Sequence, residues 1–122
     1  MATRPLRIMV GYDGSDSAVR ALDAAAELFG YGSTLAVVTV SANGAGTATT
    51  AAARAQLHRR HIEARYHETS GEPADELVEK AHELEVDLIV IGRRNGDRRR
   101  AFPGSVTSRV IQHASCDVLV VH

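Results

Sequence analysis

The segment at residues 91–108, IGRRNGDRRRAFPGSVTS, holds the residue types that could bind a phosphate. It leaves an apolar stretch, passes five arginines and ends in the pattern of a helix start. The first amides of a helix have no partner within it, and the helix dipole favours an anion there. Gly104 would let a ligand approach the backbone, while Ser105, Thr107 and Ser108 carry hydroxyl donors. Gly-Ser pairs also turn and cap ordinary helices, so the sequence leaves both interpretations open.

Asp13 has two interpretations as well. It follows the apolar stretch LRIMVGY at 6–12 and precedes a helical pattern, where an aspartate turns the chain or caps the helix. At the end of a buried strand it could instead accept a hydrogen bond from an amino or hydroxyl group of a ligand. The loop arginines either pair with phosphates or keep a long loop solvated; they are Arg93, Arg94, Arg98, Arg99 and Arg100.

Several functional classes are excluded by what the sequence lacks. Lys80 is the only lysine among 14 basic residues, and the motifs of P-loops, nucleophile elbows and zinc proteases are missing. His58 and His61 are expected on one exposed helical face, with no carboxylate or cysteine at ligand spacing. We therefore predict neither a catalytic set nor a metal site.

The bulk composition predicts one domain over residues 1–122, since 44% of the chain is hydrophobic. A net charge of -1 provides no field that would attract DNA. No apolar run approaches the roughly 20 residues that span a bilayer. The single cysteine, Cys116, forms no internal disulfide, and we expect a cytosolic protein with neither DNA nor membrane as a partner.

Apolar stretches of strand length alternate with stretches of helical spacing. The predicted strands cover 6–12, 34–40, 62–68, 87–92 and 117–121. The predicted helices cover 16–29, about 50–60, 73–84 and 104–114. Segment 62–68 alternates only loosely, so we place it near a sheet edge. The alternation predicts an α/β fold, a doubly wound open five-stranded parallel sheet with helices on both faces.

The buried sides of three helices follow from their apolar spacing. Ser15 or Asp16 is the expected cap of the first helix and Gly30 its expected end. The residues predicted to face inward are Ala18, Ala21, Leu22, Ala25, Leu28 and Phe29 in the first helix, Ala74, Leu77, Val78, Ala81 and Leu84 in the third, and Val106, Val110, Ile111 and Ala114 in the last.

Three segments of the chain resemble the universal stress protein family, and the resemblance covers nearly its full length. IMVGYDGSDSAVRALDAAAEL is similar to that family's first strand and helix. GEPADELVEKAHELEVDLIVIGRR is similar to its third helix and fourth strand, and GSVTSRVIQHASCDVLVV to its closing helix and strand. The resemblance implies a Rossmann-like fold of the adenine nucleotide alpha hydrolase type, with strand order 3-2-1-4-5. That order reverses between strands one and four, where ligands bind in such sheets and where Asp13 and Gly92 lie.

Many members of that family bind ATP through a Gly-x2-Gly-x9-Gly motif followed by Ser or Thr, and another branch lacks the motif and binds no ATP. Carried over by position, the resemblance implies adenosine contacts by Gly11, Tyr12, Asp13 and the backbone of Val40. It places the ribose over Ile91 and Gly92, and the phosphates on Gly104, Ser105, Val106 and Thr107. Mg²⁺ is expected only if ATP is bound.

The motif itself departs from the family's pattern. Asn95 occupies the position of the second glycine, with Gly96 one place later, and the interval from Gly92 to Gly104 is one residue short. The chain is also short between the second and third strands. A shorter loop can move its amides away from a triphosphate, because such cradles depend on backbone placement. Asp97 adds a repelling charge that the five arginines outnumber.

Three functions follow as alternatives. The first is a small regulator of the universal stress type that binds ATP or a related adenine nucleotide. The second is an interaction module that binds no nucleotide and forms a homodimer through the last strand, at 118–121, because DVLVV is apolar on both faces and lies at an edge in the family's order. Relatives commonly dimerise through this strand. The third is at most weak ATP hydrolysis, with Asp13 and Asp97 as the nearby carboxylates.

Overall fold

The computed structural model describes residues 5–30, 32–41, 46–93 and 104–122. Gly96 and most of the arginine loop lie outside these residues. The strands are β1 (Arg7–Gly11), β2 (Thr34–Ser41), β3 (Arg65–Ser70), β4 (Leu88–Gly92) and β5 (Asp117–Val121). The helices are α1 (Asp16–Leu28), α2 (Gly46–His58), α3 (Pro73–Glu83) and α4 (Ser105–His113).

The strands form one parallel sheet in the order β3-β2-β1-β4-β5, which confirms the predicted fold class and strand order. In the central strand, Gly11 pairs with Val38 of β2 on one side and with Ile91 of β4 on the other. The order therefore reverses between β1 and β4. Both strands of this central pair end in glycine, which lets helices approach their carboxyl ends closely.

Alternate residues of each strand pack against different helices, because successive strand side chains point to opposite faces. The α1/α2 face carries Ile8 and Val10 of β1, which cluster with Leu22 and Leu57. The α3/α4 face carries Met9, Ile89 and Ile91, which cluster with Leu77 and Val110. Within the described ranges, the hydrophobic core thus consists of one layer on each side of the sheet.

The helix caps and ends differ in part from their predictions. Ser15 is the N-cap of α1, and its hydroxyl accepts a hydrogen bond from the amide of Ala18 at 3.2 Å. Phe29, not Gly30, is the C-cap. The helix α2 begins at Gly46, four residues before the predicted start, and its last residue is His58. His61 has a φ of 58° and lies beyond the helix, so the shared helical face predicted for His58 and His61 was wrong.

Two residues predicted to face inward are exposed instead. Leu28 is 45% exposed and is the last residue of α1, where the helix leaves the sheet. Ile111 is 48% exposed, whereas Val110 is fully buried. Consecutive helical residues lie about 100° apart, so only one of this pair reaches the sheet. Every helix among the described residues is too short or too polar to cross a bilayer.

Candidate functional site

A small open cavity lies where the carboxyl ends of β1 and β2 meet the first turns of α3 and α4. Its volume is about 110 Å³. The residues that line it are Tyr12, Asp13, Val38, Val40, Pro73, Leu77 and Val106. The lining is apolar except for Asp13 and the backbone, which suits a flat aromatic group with one polar edge.

Four residues that the sequence assigned to a nucleotide site line this cavity together: Tyr12, Asp13, Val40 and Val106. Gly11 lies directly beside it, since a Cβ atom at Gly11 would lie 3.0 Å from Cδ1 of Leu77. Sequence reasoning missed Val38, Pro73 and Leu77 as site residues. The available signal was the apolar spacing of the third helix, which placed Leu77 on the inward side without relating it to a ligand.

Asp13 turns the chain and also lines the cavity. Its Oδ1 atom accepts a hydrogen bond from the amide of Ser15 at 2.9 Å, and Gly14 between them has a φ of 82°. The predicted turn is therefore confirmed. The side chain is exposed, and the second carboxylate oxygen has no hydrogen-bond partner among the described residues. One oxygen thus fixes the loop, which leaves the other to accept from a ligand.

Tyr12 takes part both in the cavity and in the core of the α1/α2 face. Its amide donates to the carbonyl of Val38 at 3.0 Å, which extends the β1–β2 pairing up to the cavity. Its side chain packs in the core of the α1/α2 face and is 4% exposed. Burial and then the charge of Asp13 raise the pKa of the Tyr12 phenol. The phenol therefore stays neutral, and Tyr12 fixes the floor of the site through packing.

The first turn of α4 borders the cavity through Val106. The amide of Gly104, the N-cap, donates to the carbonyl of Arg93 at 2.8 Å, so this group is not available to a phosphate as the sequence had indicated. The amides of Ser105, Val106 and Thr107 donate to no acceptor within the described residues. Unpaired amides at a helix start attract anions.

Thr107 has a structural role that the sequence did not reveal. Its hydroxyl donates to the carbonyl of Gly92 at 2.7 Å, and the residue is fully buried. The expectation that this hydroxyl is a phosphate donor was wrong, because the bond joins the start of α4 to the end of β4. Ser105 is exposed and keeps its hydroxyl at the surface.

Gly92 and Ile91 lie outside the cavity lining. A Cβ atom at Gly92 would lie 2.5 Å from Oγ of Ser17 and 2.7 Å from its carbonyl carbon. Glycine is thus required by the close approach of α1, on the face of the sheet opposite to the cavity. Ile91 is fully buried in the core of the α3/α4 face.

An exposed ion-pair group joins the two helices that cover the cavity. Arg109 of α4 lies 3.2 Å from Oδ1 of Asp75 and 3.9 Å from Oε1 of Glu72. Exposed pairs contribute little to stability, so these link the first turn of α3 to α4 only weakly. The described residues contain no group of three side chains that could hold a metal ion.

The model of the universal stress protein family matches residues 41–122. A universal stress protein of Mycobacterium tuberculosis is 31% identical over 140 residues, which cover 94% of this chain and 94% of that protein. The crystal structure of a universal stress protein in complex with cAMP has a TM-score of 0.83 at 30% identity and covers 98% of each chain. A structure from Archaeoglobus fulgidus in complex with dAMP has a TM-score of 0.78 at 28% identity, over 98% of this chain and 100% of that one.

Some further matches to curated relatives are local. The chain matches 31% to 39% of the length of several other universal stress proteins, such as one from Methanothermobacter thermautotrophicus that is 39% identical over 51 residues. The match to the mycobacterial protein also contains gaps in this chain, since 140 aligned positions cover 94% of only 122 residues. Together with the strand order, the family model and the full-length match decide the classification. The chain belongs to the universal stress protein family.

Proposed function

We propose that this protein binds an adenine nucleotide at the reversal between β1 and β4. The observation that carries the proposal is the apolar cavity at the carboxyl ends of β1 and β2, which faces Asp13 on one side and the first turn of α4 on another. Ligands of doubly wound sheets bind beyond the carboxyl ends of the strands, next to the point where the strand order reverses. The complexes of two similar proteins with cAMP and dAMP support an adenine ligand.

The base is the part of the ligand that fits the cavity. Side chains of Val38, Val40, Leu77 and Val106 supply an apolar surface for its faces. A volume of about 110 Å³ is below the roughly 300 Å³ at which most ligand sites begin, so the rest of the nucleotide lies outside. Asp13 is at the rim, where its carboxylate can accept from ribose hydroxyls.

The phosphates then lie over the amides of Ser105, Val106 and Thr107. These three groups and the positive end of the α4 dipole favour an anion. ATP, AMP and a cyclic nucleotide all carry an anionic phosphate, and Mg²⁺ would accompany ATP only. A contribution of Gly96 and of the loop arginines to phosphate binding stays a prediction, since these residues, except Arg93, lie outside the described ranges.

Calorimetry with ATP, AMP and cAMP tests the proposal. Val40→Phe fills the cavity with an aromatic ring and is expected to abolish binding of all three. Val19→Phe is the matched control, because Val19 is half-buried in an open groove between α1 and α2 on the other face. The control is expected to bind like the unchanged protein. No heat from the unchanged protein at millimolar nucleotide contradicts the proposal.

A homodimer through β5 is a second proposal, which does not depend on a nucleotide. Strand β5 is a sheet edge, and Leu119 in its centre is 38% exposed. The other edge, β3, is Arg-Tyr-His-Glu-Thr-Ser, a polar sequence that resists pairing with another chain. Sedimentation should give a dimer for the unchanged protein and a monomer for Leu119→Arg. A monomer for both rules out the dimer, while nucleotide binding would be unaffected.

Weak ATP hydrolysis stays a prediction, as does the cytosolic location. Asp13 is the one carboxylate among the described residues that line the cavity, and it is therefore the candidate base. Phosphate release no faster than in buffer would exclude hydrolysis without affecting the binding proposal.

A further inference from the structure

Residues 54–65 form a strongly basic surface. Their sequence is RAQLHRRHIEAR, with four arginines, two histidines and one acid, in a chain whose net charge is -1. All of these arginines and histidines are exposed, and α2, in which the segment begins, contains no aspartate or glutamate. A run of like charges is usually only solvated, so the contacts of each arginine decide whether this one has a further role.

Three of the four arginines make neither an ion pair nor a hydrogen bond through the guanidinium to any described residue: Arg54, Arg59 and Arg65. The fourth, Arg60, lies 2.7 Å from Oε1 of Glu27. Outside the segment, Arg7 and Arg109 also pair with carboxylates, and Arg20 donates to a backbone carbonyl. Within the described ranges, the guanidinium groups that lack such partners therefore lie around α2.

Two of these arginines lie in grooves on opposite flanks of α2. Arg59 lines an open groove of about 610 Å³ between α1 and α2, and Arg54 lines a groove of about 310 Å³ between α2 and β3. The amide of Arg59 donates to the carbonyl of Ala55 at 3.2 Å, so the helical spacing continues to this residue. Five helical residues correspond to about 7.5 Å along the axis and about 140° around it. The two guanidinium groups thus lie on either side of one exposed helix face.

The groove toward α1 contains two carboxylates, and both already have partners. Nε2 of Gln56 donates to Oδ1 of Asp23 at 3.0 Å. Arg60 lies 2.7 Å from Oε1 of Glu27 and 3.9 Å from Oδ1 of Asp23. Arg59 is therefore the charge in this groove that no carboxylate of the described residues balances.

The groove toward β3 holds Arg54 against an aromatic ring. The guanidinium carbon lies 4.1 Å from the centroid of the Tyr66 ring, which is a cation–π contact. Glu63 lines the same groove without forming an ion pair with Arg54. The ring positions the guanidinium and leaves its N–H donors for an acceptor that enters the groove.

We propose that α2 docks an acidic segment of a partner protein, which crosses the helix and places one carboxylate on Arg54 and another on Arg59. Ala51 and Ala55 are exposed on the face between the two arginines, and their short side chains allow a chain to lie close to the helix. A guanidinium binds a carboxylate through two parallel hydrogen bonds. Helix α2 lies on the opposite face of the sheet from the nucleotide cavity, so this inference does not depend on nucleotide binding.

The shape and composition of this surface favour a protein partner over a nucleic acid or a membrane. The arginines lie in two separate grooves, which flexible acidic side chains can enter one by one, whereas the phosphates of a duplex are fixed on a stiff backbone. The exposed large hydrophobic residues of the described chain all lie outside α2, and a helix that binds a bilayer surface needs such residues to enter it.

Fluorescence anisotropy with a short labelled peptide of consecutive glutamates tests the proposal. Arg54→Gln and Arg59→Gln should each weaken its affinity about two- to fivefold, the range of exposed charge pairs, and the double variant by about the product of the two effects. The affinity should also fall as the salt concentration rises, because the pairs are exposed.

Arg7→Gln is the matched control, because it removes the same charge from the α3/α4 face, where Met9 packs two residues further along β1. It should bind the peptide like the unchanged protein. Val40→Phe, which fills the nucleotide cavity, should do so as well. A loss of peptide affinity in Arg7→Gln equal to that in Arg54→Gln would be an effect of net charge and would overturn the proposal. A loss in Val40→Phe would place the peptide in the nucleotide cavity, with the same consequence.

The remaining outcomes concern the two arginines themselves. The proposal is wrong if the unchanged protein does not bind the peptide, or if the double variant binds it within about twofold of the unchanged protein. An effect of only one of the two arginines contradicts a segment that crosses α2. If a DNA duplex or phosphatidylserine vesicles bind through these arginines more tightly than the peptide, the surface belongs to a nucleic acid or a membrane and not to an acidic protein.

Discussion

The two faces of the sheet differ in how closely helices pack against the carboxyl ends of the strands. On the α1/α2 face, helix α1 approaches β4 so closely that only glycine fits at Gly92, and the buried hydroxyls of Thr39 and Thr50 bond to each other. On the α3/α4 face, a cavity remains at the carboxyl ends of the strands, and two buried polar atoms lack partners among the described residues. On the α1/α2 face the open groove lies between the helices and not at the strand ends, whereas on the α3/α4 face the space at the strand ends is where a ligand can add contacts.

A glycine on each face gives the most direct test of this difference. Gly92→Ala should destabilise the protein strongly, by about 1–3 kcal/mol or more, because its Cβ would meet backbone and side-chain atoms of Ser17 at 2.9 Å or less. Gly11→Ala should cost less, because the tight contacts of its Cβ would be with the terminal methyl groups of Leu77, at 3.0 Å and 3.2 Å, which can rotate away. Urea denaturation measures both free energies of unfolding. Equal losses would show that the two faces are packed alike.

The start of α4 supplies the next largest effect, on binding. Ser105→Pro removes one amide donor but keeps the helix, because proline is tolerated at the first helical position and Gly104 has the extended φ and ψ of -62° and 164° that precede a proline. It should weaken AMP binding about tenfold while adenosine binds as before, since only the phosphate meets the amide.

Ser105→Ala is the matched control for that variant, because it keeps the amide and removes the hydroxyl. A loss of AMP affinity in Ser105→Ala alone would assign phosphate binding to the hydroxyl and contradict the amide cradle. Calorimetry measures the binding of AMP and of adenosine to Ser105→Pro and to Ser105→Ala.

Sequence patterns predicted the elements because burial imposes a period on each of them. All five strands and four helices lie close to their predicted positions, and the weakly alternating segment is the edge strand β3. The start of α2 was missed because Gly46 and Thr47 have low helix propensity. There, tertiary contact outweighs local preference, since Thr50 of this helix buries its hydroxyl against Thr39.

The candidate site was predictable where it depends on the ends of strands and on the start of the last helix. The parallel topology places Asp13 and Val40 at one edge of the sheet, and both line the cavity. The use of the Thr107 hydroxyl could not be predicted, because it depends on how closely α4 approaches the carbonyl of Gly92. Nor does a sequence pattern indicate that the Thr69 hydroxyl is buried without a partner among the described residues.

The smallest expected effect is the dependence of stability on pH. The α3/α4 face should lose stability at acid pH, and the α1/α2 face should lose it at alkaline pH. On the α3/α4 face, burial and then the charges of Lys80 and Arg65 lower the pKa of His67, against the opposing charge of Glu83. On the α1/α2 face, burial raises the pKa of Tyr12 above 10.0. Protonation of His67 is thus harder in the folded state, and ionisation of Tyr12 is also harder there.

The His67 contribution to stability is therefore present above pH 6.5, the ordinary histidine value, and is lost as the pH falls through its lower folded pKa. The Tyr12 contribution is present below pH 10.0 and is lost as the pH rises toward its higher folded pKa. Urea midpoints between pH 5 and pH 7 should thus fall on acidification, and His67→Leu should flatten that fall. His82→Leu, at an exposed position on α3, should preserve it. If acidification lowers the urea midpoint of His67→Leu as much as that of the unchanged protein, groups other than His67 cause the loss. The two faces would then not differ in their response to acid.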